Sequence, residues 1–139
     1  MKTIMACLAG TLLLVGCNGA PPNEKILSEG CQQLLGGDAE ILASIVEDTK
    51  ADLETYCGCY AQTIVQDSVK TDLHKNVLVA INTAREANGV GVEAAVKVVE
   101  AQIVSGANDL FSAEELDGTG DDFQAVSASM AGTGQCPAP

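Results

Sequence analysis

The chain is poor in aromatic side chains. Its 139 residues contain no Trp, two Phe and two Tyr, so a hydrophobic core must be built from Val, Leu, Ile and Ala. Each of these side chains buries less apolar area than an aromatic ring, and crosslinks would therefore help to stabilise such a core. The length suggests a single domain.

Positive charge is also scarce. Seven Lys and Arg stand against 19 Asp and Glu, which gives a formal net charge of −12. A surface of this sign repels phosphate backbones and offers no basic patch for counterion release, so nucleic acid is excluded as a partner. It also repels anionic lipid head groups, which excludes a polybasic membrane contact. The acidic surface either serves solubility alone or, on a more specific hypothesis, binds a cationic partner.

Residues 1–16 have the three-part layout of a secretory signal peptide. Lys2 supplies a positive charge, the twelve residues Ile4–Val15 are predominantly apolar, and small residues follow at a cleavage point. The apolar run is too short to span a membrane as a helix. We therefore predict that this segment is removed from the mature protein.

The four residues Leu14-Val15-Gly16-Cys17 resemble a bacterial lipobox. The resemblance implies that diacylglycerol is attached to Cys17, that the chain is cut before this residue, and that the new amino terminus is acylated. Two or more acyl chains anchor a protein stably, whereas a single chain binds marginally. The alternative is an ordinary secreted protein that is cut near Gly19-Ala20.

Asn18 follows the lipidated cysteine. In Gram-negative lipoproteins, an Asp at this position commonly signals retention in the inner membrane. Its absence resembles the default pattern, which is delivery to the outer membrane. We therefore expect a lipid-anchored protein of the cell envelope, facing the periplasm from the outer membrane rather than the inner one.

Helical periodicity extends over most of the mature chain. Residues 17–23 are predicted to form the lipidated cysteine and a tether, and residues 24–139 a single helical domain with an irregular C-terminal tail. Apolar residues recur three and four positions apart in the segments 24–35, 41–46, 53–64, 71–84 and 92–103, and a short segment follows from 112. The expected fold class is all-α, a small helical bundle of about five helices stapled by two disulfides.

Local signals predict where these helices begin and end. Asp38 and Thr71 are expected to be N-cap residues, and Ser112 with Glu115 has the spacing of a capping box. Gly118 is one of two glycines expected to interrupt the last helix, because glycine is unfavourable in a helix interior.

Four cysteines lie downstream of the lipidation site: Cys31, Cys57, Cys59 and Cys136. An even number in an exported domain predicts a disulfide framework. Cys57 and Cys59 diverge by roughly 200° around a helix axis and cannot bond to each other. Cys31 and Cys57 both lie on apolar faces, which favours Cys31–Cys57 with Cys59–Cys136, the latter strapping the tail across the outer side of the helix. The swapped pairing, Cys31–Cys59 with Cys57–Cys136, stays open.

Redox and metal chemistry are the functional alternatives for these cysteines. A redox pair needs a thiol of lowered pKa, near a helix N-terminus or a cation, whereas the charged residues near Cys57 are Asp52 and Glu54. Structural zinc sites favour two close cysteine pairs, and this chain has one. We predict no catalytic residue, no metal site and no cofactor, with a thiol-disulfide redox protein using Cys57 and Cys59 as an alternative.

Three further features are interpreted as structural. His74, the single histidine, is expected to be solvated. Residues 89–94 match a dinucleotide-binding fingerprint in letters, but a helix precedes them where the motif needs a strand, so we expect a turn between helices. The acidic residues between 117 and 122 are expected to form a solvated loop, since they lack the Gly and Glu positions of an EF-hand.

The segment Tyr56–Gln66, with a cysteine far downstream, resembles small exported proteobacterial proteins that carry a Cys-x-Cys helix and have no assigned function. It also resembles helical periplasmic immunity proteins, which are acidic and disulfide-bonded. That resemblance implies an inhibitor whose acidic surface covers a basic toxin or wall-active enzyme, with charge raising the association rate. The predicted function is a membrane-tethered acidic binding module of the cell envelope rather than an enzyme.

The anchor is tested by replacing its cysteine. Cys17→Ser should abolish incorporation of labelled fatty acid and release the domain from the membrane fraction, because the lipid is its only predicted membrane contact. Fractionation of cells producing either form measures this. A Cys17→Ser protein that still takes up fatty acid would show that the lipobox assignment is wrong.

Overall fold

A computed structural model describes residues 21–136, and this part of the chain consists of six α-helices without a strand. They are α1 (Pro22–Gly36), α2 (Ala39–Thr49), α3 (Leu53–Ile64), α4 (Ser68–Asn88), α5 (Val92–Val104) and α6 (Ala113–Met130). The predicted all-α class is confirmed. The signal peptide and Cys17 lie outside the described residues, and no helix within 21–136 has the length and apolar character needed to cross a membrane.

Side-chain caps set the start of most helices. Asp38, Asp52 and Asp67 each accept hydrogen bonds from backbone N–H groups in the first turn of α2, α3 and α4, respectively. Ser112 and Glu115 form the predicted capping box at the start of α6. A side-chain cap stabilises a helix by about 0.5–2 kcal/mol, so these short polar residues define the segmentation of the bundle.

Two helix starts differ from prediction. Thr71 does not cap α4: the helix begins one turn earlier at the Asp67 cap, and the buried Thr71 hydroxyl donates to the Ile64 and Asp67 carbonyl oxygens. Helix α1 begins at Pro22, which the sequence places in the tether. Proline suits this position because its missing N–H would have no helical partner there.

Helix α6 is continuous where an interruption and a solvated acidic loop were expected, so both expectations are wrong. Gly118 and Gly120 lie inside it, although each costs about 1 kcal/mol relative to Ala. The burial of Leu116, Val126 and Met130 against the bundle offsets that cost, because a buried aliphatic side chain contributes about 1.5–3 kcal/mol.

The two disulfides have the pairing preferred from the sequence. Cys31–Cys57 joins α1 to α3, and Cys59–Cys136 joins α3 to the tail. The swapped pairing is thereby excluded. Cys59 differs from expectation in one respect, because it is fully buried rather than outward-facing, while Cys136 is exposed above it.

The helices are arranged around α3 and α4. Helix α1 packs against both, α5 packs against α4, and α6 packs against α2, α3 and α4. Helices α5 and α6 therefore share α4 as a support, but they do not pack extensively against each other. A cleft remains between them.

Graded reduction should distinguish the two disulfides. Cys59–Cys136 should open first, because Cys136 is exposed whereas both Cys31 and Cys57 are fully buried. Its removal in a Cys59→Ser/Cys136→Ser variant should lower the free energy of unfolding by about 3–5 kcal/mol, since a long loop is released. Peptide mapping under non-reducing conditions and urea unfolding measure the two effects. Reduction of Cys31–Cys57 before Cys59–Cys136 would contradict the predicted order.

Candidate binding groove

The cleft between α5 and α6 is an apolar groove with a volume of about 630 Å³. This volume lies within the range of ligand-binding pockets. Residues from four helices line it with aliphatic and aromatic side chains: Leu34 and Leu35 of α1, Val77 and Ile81 of α4, Val92 and Val96 of α5, Leu116 and Phe123 of α6. We call it the α5–α6 groove.

The rim of the groove is acidic. Asp117 and Asp121 line it one helical turn apart on α6, and no Lys, Arg or His is among the lining residues. Within residues 21–136, neither carboxylate has a salt-bridge partner within 4.0 Å. An apolar lining beside two unneutralised carboxylates is suited to a ligand that is both apolar and cationic.

A second cavity continues the groove along α6. It has a volume of about 340 Å³, lies between α2, α3 and α6, and shares Leu35, Phe123 and Gln124 with the groove. Asp48 adds a further carboxylate to its lining. Phe123 thus stands between two adjoining cavities, and the apolar surface extends along α6 beyond the α5–α6 groove.

A buried hydrogen-bond relay positions α6 as a wall of the groove. The Tyr60 hydroxyl lies 2.7 Å from Nδ1 of His74, and Nε2 of His74 lies 3.0 Å from a carboxylate oxygen of Asp122. Lys70 donates to both oxygens of Asp122 at 2.8 and 2.9 Å. The relay joins α3, α4 and α6. Phe123, the next residue on α6, stacks on the Tyr60 ring with centroids 4.1 Å apart.

The expectation that His74 is solvated is wrong. Its side chain is 1% exposed, and both ring nitrogens are in hydrogen-bonding contact. Helical spacing is the signal that would have found it, because His74 lies three residues before Val77 and seven before Ile81, both buried. The expectation for Asp122 is wrong in the same way, since its side chain is half-buried and ion-paired with Lys70 rather than part of a solvated loop.

The partners of His74 define its protonation state. The Asp122 carboxylate can only accept, so the His74 Nε2–H donates to it, and Nδ1 accepts from the Tyr60 hydroxyl. Burial lowers the pKa of His74, and this effect outweighs the neighbouring Asp122, which raises it. Burial also raises the pKa of Tyr60. The relay is therefore neutral at the histidine and serves to hold helices together.

The cysteines predicted as site residues lie in structural crosslinks. Cys57 and Cys59 are bonded to separate partners and are fully buried, so neither offers a thiol in this state. Among residues 21–136, no group of three or more His, Cys, Asp or Glu is placed to hold a metal ion. Cys17, the predicted lipidation site, lies outside the described residues. No local sequence pattern indicates the α5–α6 groove.

Acidification tests the relay. The native pKa of His74 is below its ordinary value of 6.5, so the unfolded state binds the proton more readily. The free energy of unfolding should hold above pH 6.5 and fall as pH drops below it, by at most about 1.4 kcal/mol per pH unit for one proton. Urea unfolding between pH 7.5 and 5 measures this.

His74→Gln supplies the control for this experiment. The chain has one histidine, and carboxyl groups of ordinary pKa are ionised above pH 5, so the variant should lose the slope between pH 5 and 7. A slope that persists unchanged in His74→Gln would show that another group is responsible.

Comparison with protein-family models, with curated proteins and with solved structures finds no match of any of the three kinds. The lipobox resemblance and the resemblance of residues 56–66 to exported Cys-x-Cys proteins therefore stay predictions. The physical character of the α5–α6 groove is the basis for a functional proposal.

Proposed function

We propose that the protein is a membrane-tethered acidic binding module of the bacterial cell envelope, and that its partner is cationic. The observation that carries this proposal is the α5–α6 groove, in which apolar side chains adjoin Asp117 and Asp121 and no basic residue is present. Unpaired acidic groups beside an apolar surface favour a ligand that supplies both positive charge and apolar contact.

The charge of the whole chain supports the same partner class. A formal charge of −12 gives a negative field that attracts cationic molecules and accelerates their association. At physiological ionic strength this field is screened beyond about 8 Å, so the local rim carboxylates matter most once the partner is close. Binding should therefore be fast and sensitive to salt.

The predicted lipid anchor would keep the binding domain near the membrane. Four residues separate Cys17 from Pro22, where α1 begins, so the two residues lie at most roughly 18 Å apart along an extended chain. Such a short tether raises the local concentration of the domain for partners at the same membrane surface. On this proposal the membrane is a partner only through the lipid.

An inhibitor or immunity protein is the more specific version of this proposal. Its target would be a basic toxin or a wall-active enzyme, and an acidic surface of this kind suits either. The thiol-disulfide alternative is less favoured, because Cys57 and Cys59 bond to Cys31 and Cys136 rather than to each other and are fully buried.

Neutralising the rim tests the proposal. Asp117→Asn/Asp121→Asn should weaken binding of a 14-residue helical peptide of Lys and Leu about tenfold, because two attractive charges are lost. The control Glu47→Gln/Glu54→Gln removes the same charge at exposed positions that line neither cavity, and it should change the affinity less than twofold. Calorimetric titration at 50 and 200 mM salt measures both, and affinity should fall with salt. No binding of this peptide or of any other cationic probe at either salt concentration would refute the cationic partner.

A further inference from the structure

We infer that the α5–α6 groove receives one amphipathic basic helix of a partner polypeptide, with apolar side chains in the groove and Lys or Arg against its rim. This inference rests on the proposed function and adds the form of the ligand. It is carried by the dimensions of the groove, by the secondary structure of its walls and by Gly120.

The length of the groove matches that of a short helix. The lining residues of α6 run from Leu116 to Gln124, a distance of roughly 12 Å along the helix axis. The adjoining cavity extends this wall to Ser127, or to roughly 16 Å. Apolar anchors at positions i, i+3 or i+4, and i+7 of a bound helix span roughly 10 Å, so three such anchors fit.

The walls favour a helix over an extended peptide. An extended segment that binds by adding a strand needs a sheet edge, and residues 21–136 contain no strand that would offer one. A segment lying in an apolar groove must then satisfy its own backbone N–H and C=O groups, and a helix does this internally.

The charge of the groove excludes an anionic amphiphile and favours a cationic one. Asp117 and Asp121 lie one turn apart on α6, about 6 Å along the axis, which is also the spacing of Lys or Arg residues at i and i+4 of a facing helix. An anionic lipid head group would be repelled by the same two carboxylates.

Gly120 keeps the groove open. It lines the groove, its φ is not positive, and a Cβ added to it would meet no atom within 4 Å. The helix therefore does not require glycine here, and the residue costs about 1 kcal/mol of helix stability relative to Ala. A side chain at this position would occupy space that a ligand can use. Gly118 has the same freedom but lines neither cavity, which makes it a matched control.

The experiment compares two peptides and two variants by calorimetric titration at low salt. The peptides are the 14-residue Lys/Leu helix and an analogue in which every Leu is replaced by Ala at unchanged charge. On the native protein, the Lys/Ala peptide should bind at least tenfold more weakly. Gly120→Leu should weaken binding of the Lys/Leu peptide at least tenfold, while Gly118→Leu should leave it within twofold, and urea unfolding should show both variants folded.

Several results would overturn the inference, and they separate it from the proposed function. Equal affinity of both peptides would show that charge alone is recognised, which leaves the proposed function intact. Equal effects of Gly120→Leu and Gly118→Leu would place the peptide elsewhere. Self-association of the native protein that Gly120→Leu abolishes would make a second copy the occupant. Tighter binding of dodecylammonium than of the Lys/Leu peptide would show that the occupant of the groove is a small amphiphile. Failure of every cationic probe to bind would refute the proposed function as well.

Discussion

The hydrogen bonds of His74 hold α6 at the position from which it forms one wall of the groove. The imidazole lies on α4, accepts from Tyr60 of α3 and donates to Asp122 of α6, so three helices meet at one side chain. Phe123 reinforces this junction by stacking on Tyr60 at an interplanar angle of 8°. Loss of this junction would remove the side-chain hydrogen bonds that tie the middle of α6, and with it one wall of the groove, to α3 and α4.

A polar junction inside an aliphatic core is costly unless every member is satisfied. Both ring nitrogens of His74 are paired, and the Asp122 carboxylate also accepts from Lys70. Nearby, the Tyr56 hydroxyl accepts from Ser127 and donates to the Phe123 carbonyl. Removing one partner would leave a buried polar group unpaired, at a cost of about 1–3 kcal/mol. The network therefore specifies the position of α6 in a way that interchangeable Val, Leu and Ala contacts would not.

The sequence predicted the elements of the fold better than the site. Periodicity and capping signals act over a few residues, so the predictions for Asp38 and for the Ser112–Glu115 capping box are confirmed. Pairing of Cys31 with Cys57 followed from two apolar faces. The groove depends instead on how α5 and α6 both pack against α4. In residues 117–122, which were predicted to form a loop, tertiary packing outweighs the low helix propensity of the two glycines. Asp122 and His74 meet across 48 residues of chain, and no local pattern encodes that contact.

An open groove and a small aliphatic core place opposite demands on the chain. Val92, Val96 and Phe123 line the groove and are only partly buried, so they contribute less to stability than they would in a filled interior. The tail compensates at the other end of α6: Cys136 bonds to Cys59, and the Gly132 N–H donates to the Asp48 carbonyl of α2. Helix α6 is thus fixed at its middle by Asp122 and at its C-terminal end by the tail, while its first half carries Asp117, Gly120 and Asp121. The second half of α6 is therefore attached to the rest of the bundle by the tail, whereas the first half supplies the two carboxylates and the glycine that line the groove.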